Sequence, residues 1–465
     1  MEKIRQAEVR RVWMNYTETL ARWATGIDGF CINDEVLEKA AEFVLDWAGA
    51  ALAGSAQPPA GMLYGIVRGN APQSGPCTVL NAHMDRTSEL WAAFQNGFNG
   101  HVMEMDDVHR KAVFHPGTVI IPAALAIGQK LGVDGRKLLT SIAVGYEVSI
   151  RVGIAAGPSH YMKWHTTGTC ATFGASAAAG YLLGLTPLQM TWALGNAGTQ
   201  AAGLWQFLDD GAMTKPLHPG KAAMNGLLAA LAAKNGFTGP NNILEGRKGF
   251  LAATSLDAEP GALTEGLGDA WQLLDVSIKP YASCRHSHPQ IDVALEVARE
   301  AGFNLQGIAS VHISTYRTAK DVAGGSGRYP KEPHEAKFDS AYCVATALAR
   351  GKVRVEDFEP GNIESASDVK KLWEKTTISV DESLEAEYPA KWGAVIEART
   401  DDGKVYKAST LYAKGDPEKP VTRDELTEKF MDLADGVLPE EELSALTGRI
   451  LGIAGTEDIN TIFPA

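Results

Sequence analysis

The chain has 465 residues, 45% hydrophobic and 21% charged, a composition that suits a globular protein of two or three domains. Its net charge of −13, with no long Lys/Arg block, argues against nucleic acid as a partner, although a pocket can still be locally cationic. No run of 18 apolar residues appears and residues 1–8 lack the apolar core of a signal peptide, so neither a membrane partner nor secretion is expected. Five dispersed cysteines (Cys31, Cys77, Cys170, Cys284 and Cys343) form no C-x-x-C pair, which speaks against a disulfide framework or a zinc ribbon and fits a reducing cytoplasm.

From about residue 17 to 270 the pattern is helical. Apolar residues recur at the helical period over 36–52, 119–131, 138–154 and 171–185, and Gly132, Gly184 and Gly236 mark helix ends. The 171–180 stretch is Ala- and Gly-rich all round, which predicts close helix–helix contact. Trp47, Trp91, Trp164, Trp192 and Trp205 are expected in the core. Near 270 the character changes. Residues 308–316 and 376–380 read as strands, 336–349 as a helix, and 392–400 with 404–410 as a hairpin around Asp401-Asp402-Gly403. After about 420 the helical pattern returns. The expected fold is mainly α with a smaller α+β domain: residues 1–270 and 415–465 form the helical domain, and 271–414 are inserted as the α+β domain.

Four features carry chemistry. The first spans 15 residues and holds His101, Glu104, Asp106, Asp107, His109 and His115. On a helix, Glu104 lies three residues from both His101 and Asp107, so these groups would meet on one surface. A solvated helix face, an acid/base site and a metal site all fit that inventory. The second is Trp164-His165-Thr166-Thr167-Gly168, where His165 precedes the N-terminus of the Ala-rich helix, an end that favours anions. The third is Lys215-Pro216-Leu217-His218-Pro219, a loop that leads into an apolar helix at 222–233. The fourth is Lys279-Pro280-Tyr281 through Cys284-Arg285-His286-Ser287-His288 at the domain junction, a common place for ligands. Together they supply acids, bases and cations suited to removing a proton next to a carboxylate, with cations holding the substrate's charges. No dinucleotide fingerprint, P-loop, nucleophile elbow or zinc-protease motif is present.

In their order along the chain these segments resemble the MmgE/PrpD family. The resemblance runs from Asn96-Gly97 through His115-Pro116, Trp164-His165 and Thr214-Lys215-Pro216-Leu217-His218 to Lys279-Pro280-Tyr281 and Ala336-Lys337-Phe338 with Tyr342. It implies a large helical domain with a smaller α+β domain, a homodimer, and catalysis of small-carboxylate chemistry with no metal and no organic cofactor. By likeness Glu104, His165 and Lys215 are the catalytic candidates. His115, His218, Lys279 and Arg285 would bind substrate carboxylates, with Asp107 and His109 in support. Two departures stand out. Glu104 and Val108 occupy positions where the family usually has Asp and Thr, and Asp339 replaces a Ser. The expected activity is a cofactor-independent lyase, foremost a hydro-lyase, acting on a small di- or tricarboxylate. An isomerase or epimerase using the same proton abstraction is the alternative, ahead of a metal-dependent enzyme or a non-catalytic helical scaffold.

Overall fold

The computed structural model describes residues 15–29, 32–302 and 307–463; Cys31 and the segment 1–8 fall outside them. Helices dominate the first half. Asp34–Ser55, Glu89–Val102, Gly117–Leu131, Gly135–Tyr161, Thr166–Leu182 and Leu217–Lys234 pack around one core. Gly132 and Gly184 take the left-handed conformation at the ends where sequence placed them, and Gly236 does so just past Lys234. The Gly135–Tyr161 helix is long and apolar enough to cross a membrane, but 94% of its most apolar window is buried inside the bundle, as in a core helix.

Small residues allow these helices to approach closely. A Cβ on Gly145 would lie 2.6 Å from Ile120 and 2.9 Å from the Gly174 carbonyl, and one on Gly174 would lie 2.5 Å from the Gly145 carbonyl. The segment 96–100 lies inside the Glu89–Val102 helix, where Gly97 faces the backbone of Gly220 and Gly100 faces Trp47 and Thr118. Of the five tryptophans expected in the core, only Trp47 is fully buried; Trp91, Trp164 and Trp192 are half-buried, and Trp205 stands in the wall of a cavity.

The second core belongs to a four-stranded mixed sheet backed by helices. Strand Ile308–Thr315 pairs parallel with Thr376–Val380 and antiparallel with Ala394–Thr400, which pairs with Val405–Thr410 in the expected hairpin. Helices His288–Glu300 and Ser340–Arg350 cover one face. The single helix expected over 336–349 is two. Pro333–Lys337 ends at Phe338, and Asp339 starts Ser340–Arg350 by accepting from the Tyr342 amide at 2.9 Å. A capping aspartate breaks the run because its side chain competes for backbone N–H groups. The helices Arg423–Ala434 and Glu440–Leu451 bury Leu426, Phe430, Leu446 and Ile450 in the first core.

Gly174→Val should lower stability by about 1–3 kcal/mol through overpacking against the Gly145 turn, read as a fall in the denaturant midpoint at unchanged m-value.

Candidate active site

The first cluster leaves its helix after His101. Glu89–Val102 stops just after His101, Met103 caps it, and Glu104 sits at φ 60. A left-handed conformation at a residue that is neither Gly nor Asn costs on the order of 1–3 kcal/mol, and something must hold it. Three lysines do so, each donating to one of three successive carbonyls. Lys337 Nζ reaches Met103 O at 3.1 Å, Lys279 Nζ reaches Glu104 O at 2.9 Å, and Lys429 Nζ reaches Met105 O at 2.8 Å. Carbonyls at a helix C-terminus lack intrahelical partners and carry its negative end, so cations suit them. Met103 and Met105 bury their side chains in the second core, while Glu104 between them lines the cavity.

A short antiparallel pairing brings Lys279 to this loop from 175 residues away. Val108 lies opposite Ser277 and His109 opposite Val276. The Glu104 carboxylate then pairs with Lys215 Nζ and lies 3.7 Å from Lys279 Nζ. Burial pushes its pKa up, but the positive field of Lys215, His101 and Lys279 outweighs that and holds it well below the usual range. Glu104 is therefore ionised. Its neighbour Asp106 is also held ionised against burial by His101 and His115. Burial raises Asp107 to about 8, although Tyr146 donates to it at 2.7 Å and the Gly117 amide at 2.9 Å. Asp107 supports the loop and stands outside the cavity wall.

The imidazoles go the other way. His115 donates from Nδ1 to the Asp107 carbonyl at 2.7 Å, which leaves Nε2 as its free nitrogen, and burial lowers its pKa to about 3. His165 caps the Thr166–Leu182 helix as expected, and burial with nearby positive charge holds it well below 6.5. Both line the cavity, together with Glu104, Lys215, Lys279 and Arg285. His101, Asp106 and His115 offer one ligand atom each within 4.8 Å and could hold an ion. To join, His115 would have to use Nε2 or give up its carbonyl bond, because a protonated nitrogen cannot ligate.

Three further site residues spend their polar atoms on partners within the protein. His218 lies behind His165, Nδ1 to Nδ1 at 3.0 Å, and is absent from the cavity wall. His109 is buried in the short pairing, where its Nδ1 accepts from the Ala112 amide at 3.1 Å, so it shapes the loop from within. Arg285 reaches the cavity, but its guanidinium is engaged with Asp416 at 2.5 Å and the Lys414 carbonyl at 3.1 Å. These partners leave it as a brace more than a free fork. Sequence reasoning missed Lys337 as a cation beside Glu104; burial lowers its pKa to about 8. It also missed Tyr388 and Trp392 in the cavity wall, where the aromatic-proline run Tyr388-Pro389-Ala390-Lys391-Trp392 was a usable loop signal. Asp339, the departure near Lys337, is explained by its capping role. Val108 contributes an apolar surface to the cavity floor.

Lys215→Met should cost about 3 kcal/mol or more in stability, because it leaves Glu104 buried with one distant ammonium; adding Glu104→Gln should recover part of that loss. A second expectation concerns pH. His109, His115 and His286 are depressed to about 3, and His160 and His218 to about 4. Between those values and about 6.5 the unfolded chain binds more protons, so stability falls as pH drops through that window. Asp107, raised to about 8, and Asp339, raised to about 6, oppose this, but the five imidazoles outweigh them. Melting curves from pH 7 to 5 should show a loss of several kcal/mol, and a flat profile would contradict neutral buried imidazoles.

Sequence comparison covers nearly the whole chain. The cis-aconitate decarboxylase-like protein oryM of Aspergillus oryzae is 29% identical over 472 residues, spanning 96% of each chain. Cis-aconitate decarboxylase of Aspergillus terreus is 27% identical, across 96% of this chain and 94% of that protein. The Homo sapiens cis-aconitate decarboxylase is 26% identical, across 96% and 93%. Residues 18–262 match the MmgE/PrpD N-terminal domain and 281–448 the MmgE/PrpD C-terminal domain, so the chain belongs to the MmgE/PrpD family.

Proposed function

We propose that this protein is a lyase that removes carbon dioxide from a small unsaturated tricarboxylate. One observation carries the choice: Glu104 is ionised and held between Lys215 and Lys279. A carboxylate stabilised by two ammonium groups is a weak base at neutral pH, so it is poorly suited to abstracting a carbon-bound proton. That weakens the hydro-lyase and isomerase expectations, both of which begin with proton removal. A decarboxylase needs the reverse, an acid that protonates carbon. Relatives named as cis-aconitate decarboxylases support the same direction.

The reaction balances without an added oxidant or reductant. The carbon–carbon bond to one carboxylate breaks and carbon dioxide leaves. The electron pair moves into the neighbouring unsaturated carboxylate as an enolate-like anion, and carbon then takes one proton. Lys215 and Lys279 hold carboxylates and stabilise the developing charge. His165 supplies the proton. It is neutral in the free protein, but a bound polyanion offsets the desolvation and the surrounding positive charge that depress it. Substrate binding thus loads the acid.

Two measurements test this. Titration calorimetry in buffers of different ionisation enthalpy should show net proton uptake on binding at pH 7; no uptake would count against an imidazole loaded by substrate. NMR of cis-aconitate turned over in deuterated water should show loss of carbon dioxide with one deuterium gained at carbon. Water added to the double bond would restore the hydro-lyase, and exchange with the skeleton retained would restore the isomerase. His165→Ala should lower kcat at least about 100-fold while carboxylate binding persists.

A further inference from the structure

The cavity sets a charged cluster against a largely apolar wall. Its volume is about 470 Å³, within the range that accommodates drug-sized ligands. Charged groups gather at the floor around Glu104, Lys215 and Lys279. The rest of the wall is largely apolar on both sides, with Lys111 and Asp321 exposed at its edge. From the helical half come Tyr161, Met162, Trp205 and Leu208. From the sheet half come Val322, Phe338, Tyr388 and Trp392.

This apolar wall is built rigidly. Trp392 stacks on His286 with centroids 4.3 Å apart, and Tyr388 stacks on Tyr316 at 4.6 Å. Val113 packs against that group across the two halves while held at φ 50, a strained conformation for a β-branched residue. Met162 is 73% exposed, an unusual placement for a large apolar side chain at the rim of a charged site. A ligand charged at every end would leave this wall wet or press a carboxylate against it, which is unfavourable.

We infer that the substrate is a polycarboxylate bearing an apolar substituent, an alkyl chain of several carbons. Its carboxylates face Lys215 and Lys279, and its chain runs along Trp205 and Trp392 towards Met162 and Leu208. This inference rests on the proposed carboxylate-lyase reading and extends it to the substrate's other end.

Saturated propane-1,2,3-tricarboxylates are suitable probes because they lack the double bond the reaction needs. The parent compound and its propyl- and hexyl-substituted forms would be titrated calorimetrically into the full chain. Affinity should rise roughly threefold to fourfold per buried methylene, with an increasingly negative heat-capacity change. Equal or weaker binding of the propyl compound relative to the parent overturns the inference and leaves the lyase reading standing. If no compound in the series binds, the carboxylate-site reading itself fails. Met162→Asp combined with Leu208→Asp, both at the rim, should flatten the dependence on chain length in protein of unchanged circular dichroism. A slope that persists in that variant would place the chain elsewhere and overturn the assignment.

Discussion

Three lysines clamp three consecutive carbonyls, those of Met103, Glu104 and Met105, and the site depends on that clamp. The backbone there leaves a helix in a conformation that costs energy, and the lysines arrive from residues 279, 337 and 429. Because those lysines come from segments far apart in the chain, the loop forms only once both halves have packed together. Two of the same ammonium groups serve twice. Lys279 also faces the Glu104 carboxylate, and Lys429 pairs with Asp46 at 2.5 Å. Backbone geometry and site charge are therefore set by one group of contacts.

That arrangement produces an uneven electrostatic landscape. Glu104 and Asp106 stay ionised, while Asp107, buried and in the field of Asp46 and Asp106, is raised to about 8. The imidazoles beside the lysines are depressed because neither burial nor neighbouring positive charge tolerates a further proton. Such a pocket is short of negative charge, and a polycarboxylate would supply it. In the proposed reaction the neutral histidines are a reserve that substrate would charge, which would couple binding to the availability of an acid.

Much of the framework was legible locally. Helical periodicity located the main helices, glycines marked their ends, and alternation with the Asp401-Asp402-Gly403 turn located the hairpin. Glu104, His115, His165, Lys215 and Lys279 stood out as chemistry-bearing residues in Gly- or Pro-marked segments, and all five line one cavity. The polar partners of the other candidates were not legible. His109, His218 and Arg285 have the right side chains in the right neighbourhood, but each spends its polar atoms on partners that sequence proximity does not reveal.

The sequence by itself determined the helical and strand segments and the inventory of acids, bases and cations, because periodicity, capping and side-chain chemistry are local properties. Tertiary structure decided that the cluster leaves its helix at Glu104, which cations hold it, and which histidines stay neutral. It also decided that an apolar wall from two halves of the fold faces the charged floor. Those outcomes depend on contacts closed over more than a hundred residues and on burial, and neither is written in any short stretch of the chain.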